Sequence, residues 1–266
     1  MEMGDVLIET KSNTIGRVVL VFVLSVVIWR VTLLLFDGHQ FADRVLLHIV
    51  AGLFLSALIC ALMIFMMRTA GGAKDASWKK AAPGHLKALG LGFLCWIIPA
   101  AVSICVFIVS GMVIITAQTE YSALIVPFFA LLVAVFFIEA FPEELVRGYL
   151  YSRLEVAFSP WTALLAQTVL FTLFASLIGS LHSTEQWLFI PGFGFLLGYF
   201  RMLSGSVWFA MGFHCAMMTA TQFISPLRQL LEVDGSFFVV RFLCFLLIPA
   251  IVSSLVLHFK TSYIKE

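Results

Sequence analysis

The sequence predicts an all-α membrane protein, a polytopic bundle of about eight transmembrane helices that forms a single domain over residues 1–266. Its composition is the first reason: 62% of the 266 residues are hydrophobic, only 12% are charged, and the mean hydropathy is +1.06. A soluble domain has about 45–50% apolar and about 25% charged residues. No soluble core of this size could bury the excess, and the apolar residues gather in long runs, as a chain solvated by the bilayer requires.

Eight apolar runs are long enough for spanning helices, each of which needs roughly 20 mostly apolar residues. The first is expected to stay in the membrane, because residues 1–16 include acidic side chains and lack the basic start of a signal peptide. The third holds Pro99 and is expected to tilt or kink. The fourth is expected to continue past residue 140 in a kinked or re-entrant form. The predicted spans are residues 17–36, 45–66, 89–117, 123–140, 161–181, 187–203, 206–224 and 236–258.

The distribution of basic residues predicts the orientation of the bundle. Cytoplasmic loops carry an excess of Lys and Arg, and the loop 67–88 holds five basic residues against one acid. If this loop is cytoplasmic, only Arg44 and Arg228 lie on the outer side, and Arg30 and Arg241 lie near the outer ends of spans. Both termini are therefore expected in the cytoplasm. The basic residues on that side are Lys11, Arg17, Arg68, Lys74, Lys79, Lys80, Lys87, Arg147, Arg153, Arg201, Lys260 and Lys265.

Most ionisable residues of the predicted spans gather in one segment, FFIEAFPEELVRGYLYSRLEV. Such residues are costly in a bilayer and are candidates for function. Glu139, Glu143 and Arg147 have i, i+4, i+8 spacing and line one stripe of a continuous helix, with Glu144 on its flank. One arginine cannot neutralise three carboxylates, so at least one is expected to be able to accept a proton, as a general base must. A proline followed by two glutamates is also an ordinary helix N-terminus.

Two stretches resemble the CPBP family of intramembrane proteases, which contains CAAX prenyl proteases and the bacteriocin-processing or immunity proteins called Abi. They are PEELVRGYLYSRL, which begins at Pro142, and PGFGFLLGYFRMLSGSVWFAMGFHCAMM, which begins at Pro191. The similar region covers about residues 125–222. The resemblance implies a bundle of about eight helices in which a glutamate activates water against a peptide carbonyl. Histidines and an asparagine are implied to hold the developing oxyanion.

The glutamate motif departs from the family pattern, because E-E-x-x-R is one residue shorter than E-E-x-x-x-R. Aligning on Arg147 places Pro142 and Glu143 where the two glutamates belong. Aligning on the glutamate pair instead makes Glu143 the base and moves the arginine. Glu139 matches no motif position, but it could act as the base if the kink turns it inward.

The histidine motifs are only partly present. His214 matches the motif on the later helix, whereas Met218 stands where the family has asparagine. Ile178 stands where an earlier helix would carry histidine, and His182 follows one turn later. His182 is a candidate for the second imidazole, although a solvated loop histidine would look the same. His48, in the second span, is interpreted as structural.

The function predicted first is an intramembrane glutamate-dependent endopeptidase. In this hypothesis Glu143 or Glu144 activates water, Arg147 holds the carboxylate ionised and oriented, and His214 stabilises the oxyanion, with His182 as a further candidate. The motif changes motivate an alternative, a catalytically inactive relative that acts as an immunity factor, scaffold or regulator. A proton-coupled carrier that uses the acidic cluster is a third hypothesis, although the sequence has no inverted repeat.

No cofactor and no metal ion are expected. A zinc site made of Glu143, His182 and His214 is conceivable, but the sequence has no H-E-x-x-H motif. The five cysteines lie in apolar stretches without a C-x-x-C pair and are interpreted as small buried hydrophobes. The expected partners are the lipid bilayer and a peptide or protein substrate in or near it. Nucleic acid is not expected, because the net charge is only +1.

Overall fold

The computed structural model describes residues 11–36, 45–69, 84–225, 228, 230–236 and 239–263. Within these ranges the chain is a helical bundle with one small antiparallel sheet. A 3-10 turn at Tyr121–Leu124 precedes the fourth helix, and π-helical segments occupy Phe136–Ala140 and Val239–Leu247. The α-helices are α1 (Lys11–Leu35), α2 (Val45–Thr69), α3 (His85–Val109), α4 (Ile125–Val135), α5 (Phe141–Ala157), α6 (Pro160–Ile178), α7 (Thr184–Ser204), α8 (Val207–Phe223) and α9 (Ile248–Tyr263).

The predicted polytopic bundle is confirmed. Among the described residues, seven helical stretches are long and apolar enough to cross a membrane, and α8, with 17 residues, is shorter than these. Large apolar side chains also point outward, among them Val109, Val169 and Leu188, as they do in a protein whose solvent is lipid. The seven stretches are Asn13–Leu35, Leu46–Thr69, His85–Val109, Tyr121–Ala157, Pro160–Ile178, Thr184–Ser204 and Val239–Phe259.

The third predicted span, 89–117, was too long. Helix α3 ends at Val109, and Gly111 adopts a positive φ of 72°, a left-handed conformation that glycine takes without strain. The chain then forms β1 (Val113–Ala117), which pairs antiparallel with β2 (Leu231–Gly235). Apolar β-branched residues suit a strand as well as a membrane helix, so hydropathy could not separate the two elements. Most of the predicted cytoplasmic loop, residues 70–83, lies outside the described part of the chain.

The fourth span continues past residue 140, as expected, and a π-helical turn separates α4 from α5 within it. Pro142 has no N–H to donate to the carbonyl one turn earlier, and the Phe141 N–H instead donates to Phe136 O, five residues back. The continuous stretch has 37 residues. At 1.5 Å per residue it is about 55 Å long, far more than the roughly 30 Å of a hydrocarbon core.

Close contact with α2 fixes the π-helical turn. A Cβ added at Gly52 would lie 2.9 Å from Ile138 N and 3.0 Å from Phe137 C, so only glycine permits this approach. One helical turn later, Ser56 Oγ donates to Phe137 O over 2.5 Å. His48, Gly52 and Ser56 have i, i+4, i+8 spacing, so one stripe of α2 faces the turn.

A second close contact joins α3 to α8. A Cβ at Gly92 would overlap the carbonyl oxygen of Phe209, and a Cβ at Gly212 would overlap that of Leu89. These two glycines let the backbones of the helices approach directly, as small residues do in membrane bundles. Gly212 lies about half a turn before His214, so this contact also fixes the position of the histidine in the bundle.

Candidate active site

Two helices bring four of the five predicted site residues together. Glu143, Glu144 and Arg147 lie in the first turns of α5, and His214 lies in the middle of α8. Arg147 Nη1 donates to Glu144 Oε1. His214 Nδ1 lies 3.1 Å from that same oxygen, and His214 Nε2 lies 3.9 Å from Glu143 Oε2. The imidazole therefore stands between two adjacent carboxylates.

The two glutamates have different surroundings. Glu144 is 0% exposed, and it pairs with Arg147 (3% exposed) and His214 (2% exposed). Glu143 is partly exposed and borders a cavity of about 330 Å³, called here the large cavity, which His214 also borders. Adjacent residues on a helix point about 100° apart, so one side chain faces the cavity while its neighbour packs inside the bundle.

Aromatic rings surround the buried charges. The Arg147 guanidinium carbon lies 4.2 Å from the centre of the Phe171 ring, and the Phe193 ring meets the His214 ring edge-on with centres 5.0 Å apart. Rings exclude water, and a water-poor surrounding strengthens every charge interaction at the site. Among the residues that the structure describes, no group of three or more His, Cys, Asp or Glu side chains is arranged to hold a metal ion.

The two altered motif positions also lie on the large cavity. Ile178, from the end of α6, and Met218, one turn after His214 on α8, both line it. The backbone thus brings the expected positions to the cavity, but their side chains offer no hydrogen-bond donor there. Polar lining comes from other places in the chain, namely His48, Glu139, Ser180, Gln186, Thr221 and Arg241.

Glu139, which the sequence offered as a base only if it turned inward, is one of these additional residues. It lies in the π-helical turn and borders the large cavity. Gln222 Nε2 donates to Glu139 Oε1 over 2.5 Å, and Arg228 Nη2 donates to Gln222 Oε1 over 3.0 Å. These two hydrogen bonds connect Glu139 on the large cavity to Arg228 in the segment that precedes β2.

His48 was interpreted as structural from the sequence, but the structure places it on the large cavity. The spacing of His48, Gly52 and Ser56 on one stripe of α2 was a usable signal. Without knowledge that this stripe faces the π-helical turn, however, the spacing alone could not assign His48 to the site.

His182 is not brought together with the other predicted residues. It is exposed in the turn before α7, and its backbone N–H donates to Gln186 Oε1 over 2.5 Å. Ser183 and Gln186 form a capping box at the start of α7. In this position the His182 segment helps to begin a helix, and His182 does not border the large cavity.

Residues 124–220 match the family model Rce1-like, described as type II CAAX prenyl endopeptidase Rce1-like. These 97 of the 266 residues are similar to Rce1-like proteins. The resemblance inferred from the sequence motifs is thus confirmed. Neither the curated proteins nor the solved structures contain a match to the chain.

The matched region includes α5 and His214, so it contains the four residues of the cluster, Glu143, Glu144, Arg147 and His214. It leaves out α1, α2 and α3, and therefore His48. The match supports a function of the intramembrane protease type, and the apolar helices make the protein an integral, multi-pass membrane protein.

Proposed function

We propose that the protein is an intramembrane endopeptidase that uses Glu143 as a general base to hydrolyse a peptide bond of a membrane-associated substrate. One observation carries this proposal. Glu143 faces a large cavity together with His214, while Glu144 and Arg147 hold the other side of that histidine. A carboxylate and an imidazole thus converge on a space that can hold both water and a peptide.

Glu143 Oε2 and His214 Nε2 lie 3.9 Å apart, so one water molecule on the cavity side can form a hydrogen bond to each of them. Glu143 takes a proton from this water, and the water oxygen bonds to the peptide carbonyl carbon. Glu143 then gives the proton to the departing amine nitrogen as the C–N bond breaks. General acid–base catalysis of this kind contributes about 10²–10⁴-fold in rate.

Glu144 and Arg147 act through His214. Because Glu144 Oε1 lies next to His214 Nδ1, it favours the ring form that carries a proton on Nδ1. In the imidazolium form Nε2–H also donates, and the charges of Glu143, Glu144, Arg147 and His214 then sum to zero. This form supplies a donor for the oxyanion without leaving a net charge inside the bundle.

The family description points to a substrate class for the first assays, a peptide with a prenylated C-terminal CAAX sequence. The purified protein in liposomes is expected to cleave a farnesylated peptide of this kind and to release a C-terminal fragment. Glu143→Gln should lower kcat by at least about 10²-fold. Glu155→Gln, an exposed glutamate on the same helix, is the matched control and should keep the parental rate. Equal turnover in the Glu143→Gln protein would refute the general-base role.

The apolar side chains of Ile178 and Met218 on the cavity wall favour a second candidate function, in which the same cavity binds a peptide without cutting it. A binding-only protein would hold the farnesylated peptide with a Kd unchanged by Glu143→Gln and would release no product over long incubation. Release of product that depends on Glu143 excludes this candidate.

A further inference from the structure

A second and smaller cavity adjoins Glu143 on the side of α6. Its volume, counted as the space open to the centre of a water molecule, is about 20 Å³. On the same measure a buried water molecule needs about 10–15 Å³. The small cavity therefore has room for one water and none for a peptide. Its lining residues are Phe22, Trp29, Glu143, Val146, Arg147, Leu150, Gln167, Leu170, Phe171 and Phe174.

Polar atoms of two buried side chains on this lining lack partners. Arg147 Nε and Nη2 and Gln167 Oε1 are buried and make no hydrogen bond to any described residue. Arg147 is 3% exposed and Gln167 is 1% exposed. Buried polar groups are nearly always hydrogen-bonded, often to an ordered water. Two donor nitrogens and one acceptor oxygen thus belong to side chains that line the small cavity, and together they are enough partners for one water.

The other half of Gln167 is already fixed. Its Nε2 donates to Gly194 O on α7 over 3.0 Å and to Thr168 Oγ1 over 3.0 Å. A Cβ at Gly198 would overlap this amide, so glycine there makes room for it. With the nitrogen end held by α7, the oxygen end is left to serve the small cavity.

Glu143 borders both cavities, as do Trp29 and Phe171. Glu143 thus adjoins both a space of about 330 Å³ and a space of about 20 Å³. A peptide entering the large cavity displaces the water there, whereas water in the small cavity stays in place. Hydrolysis consumes one water in every turnover, so a source on the far side of the base has a direct use.

We propose that the small cavity binds one water, held by Arg147 and Gln167, and that this water resupplies Glu143 while peptide fills the large cavity. Arg147 N–H groups donate to the water oxygen, and the water donates to Gln167 Oε1 and to Glu143. Gln167 is then a positioning residue, since it acts on the reaction through the water. The binding site stands by itself, but its use in resupply rests on the proposed function.

Filling the small cavity tests the proposal without removing any polar group. Val146→Ile adds one methylene to its lining and should lower kcat about tenfold or more, with KM within about twofold of the parent. Val156→Ile, on the exposed face of the same helix, is the matched control and should change neither. Gln167→Met, which keeps the length of the side chain and removes its acceptor, should repeat the kcat effect if Val146→Ile fails to fold. A parental kcat in Val146→Ile and Gln167→Met, or a change confined to KM, would overturn the resupply role.

A crystal structure of the parent protein grown in a lipid phase, at about 2 Å, separates this inference from the proposed function. A water oxygen within hydrogen-bond distance of Gln167 Oε1 and an Arg147 nitrogen is expected, and Val146→Ile should displace it. If the protein cleaves peptide but the small cavity holds no water, the water site is refuted and the proposed peptidase activity stands. If the small cavity holds a water but the protein cleaves no peptide, the peptidase proposal is refuted and the water site stands.

Discussion

At the scale of single residues, the site depends on a difference between two neighbours of the same type. Glu143 faces a cavity, whereas Glu144 is enclosed with Arg147 and His214. A buried charge without its partner is strongly destabilising, and removing one member of such a pair costs about 3–5 kcal/mol. The two glutamates should therefore have different roles. Glu143 should determine the rate of peptide hydrolysis, and Glu144 should contribute to the stability of the fold.

Glu144→Leu is expected to lower the free energy of unfolding by about 3–5 kcal/mol, because Arg147 is left buried without its carboxylate. Unfolding in mixed micelles of increasing SDS content would measure this. The double variant Glu144→Leu/Arg147→Met should regain a large part of the loss, since no charge is left unpaired. A double variant that is no more stable than Glu144→Leu alone would show that the two side chains are not coupled.

At the scale of elements, a π-helical turn and the helix packed on it shape the large cavity. The turn carries Glu139, and the stripe of α2 that holds it in place carries His48. π-helical turns are frequent at functional sites, because the extra residue re-aims the side chains around it. Gly52 is the point at which the two backbones meet.

Gly52→Ala is expected to destabilise the protein by about 1–3 kcal/mol, since overpacking a tight contact forces the backbones apart. It should also lower peptidase activity, because the turn and its acidic side chain move away from the cavity. Gly16→Ala on α1 is the control, since an added Cβ there meets nothing within 4 Å. That change should be neutral or stabilise by up to about 1 kcal/mol. Equal thermal stability of the two variants in detergent would contradict the role given to the contact.

At the scale of the whole molecule, the small sheet bears on the topology. Strand β1 follows α3 and β2 follows α8, and the two pair residue by residue from Val113 with Gly235 to Ala117 with Leu231. Paired strands lie on one side of a membrane, so the chain between them makes an even number of crossings. The stretch 121–157, α6 and α7 are three candidate spans, and we therefore expect α8, with its 17 residues, to make the fourth crossing. The described residues hold seven candidate spans, and with α8 counted as a crossing the number would equal the eight spans predicted from the sequence.

The predicted cytoplasmic termini can be tested with single cysteines in a variant that lacks the five native ones. Ser110, just after α3, should face outward, and Ser159, between α5 and α6, should face the cytoplasm. A maleimide that cannot cross membranes should therefore label Ser110→Cys in intact cells and label Ser159→Cys only after lysis. The reverse pattern would invert the orientation. Labelling of both in intact cells would contradict the number of crossings.

The sequence predicted the features that depend on local chemistry. Long apolar runs located the helices, and the cost of charge in lipid singled out Glu143, Glu144 and Arg147. Contacts between elements that are distant in the sequence could not be predicted. His48 joins the large cavity because α2 packs on a π-helical turn, and His182 leaves it because its segment begins α7. Gln167 gave no signal in the sequence, since its proposed role depends on one buried oxygen atom without a partner, on a side chain that lines the small cavity.

The glycine crossing of α3 and α8 has a consequence for how this protein can be divided. Gly92 lies outside residues 124–220, yet its lack of a side chain sets the depth at which α8, and with it His214, sits in the bundle. A fragment cut to residues 124–220 would expose the backbone of α8 where α3 now covers it. Chimeras with relatives should therefore exchange α3 and α8 as one unit, because each helix is shaped to the bare backbone of the other.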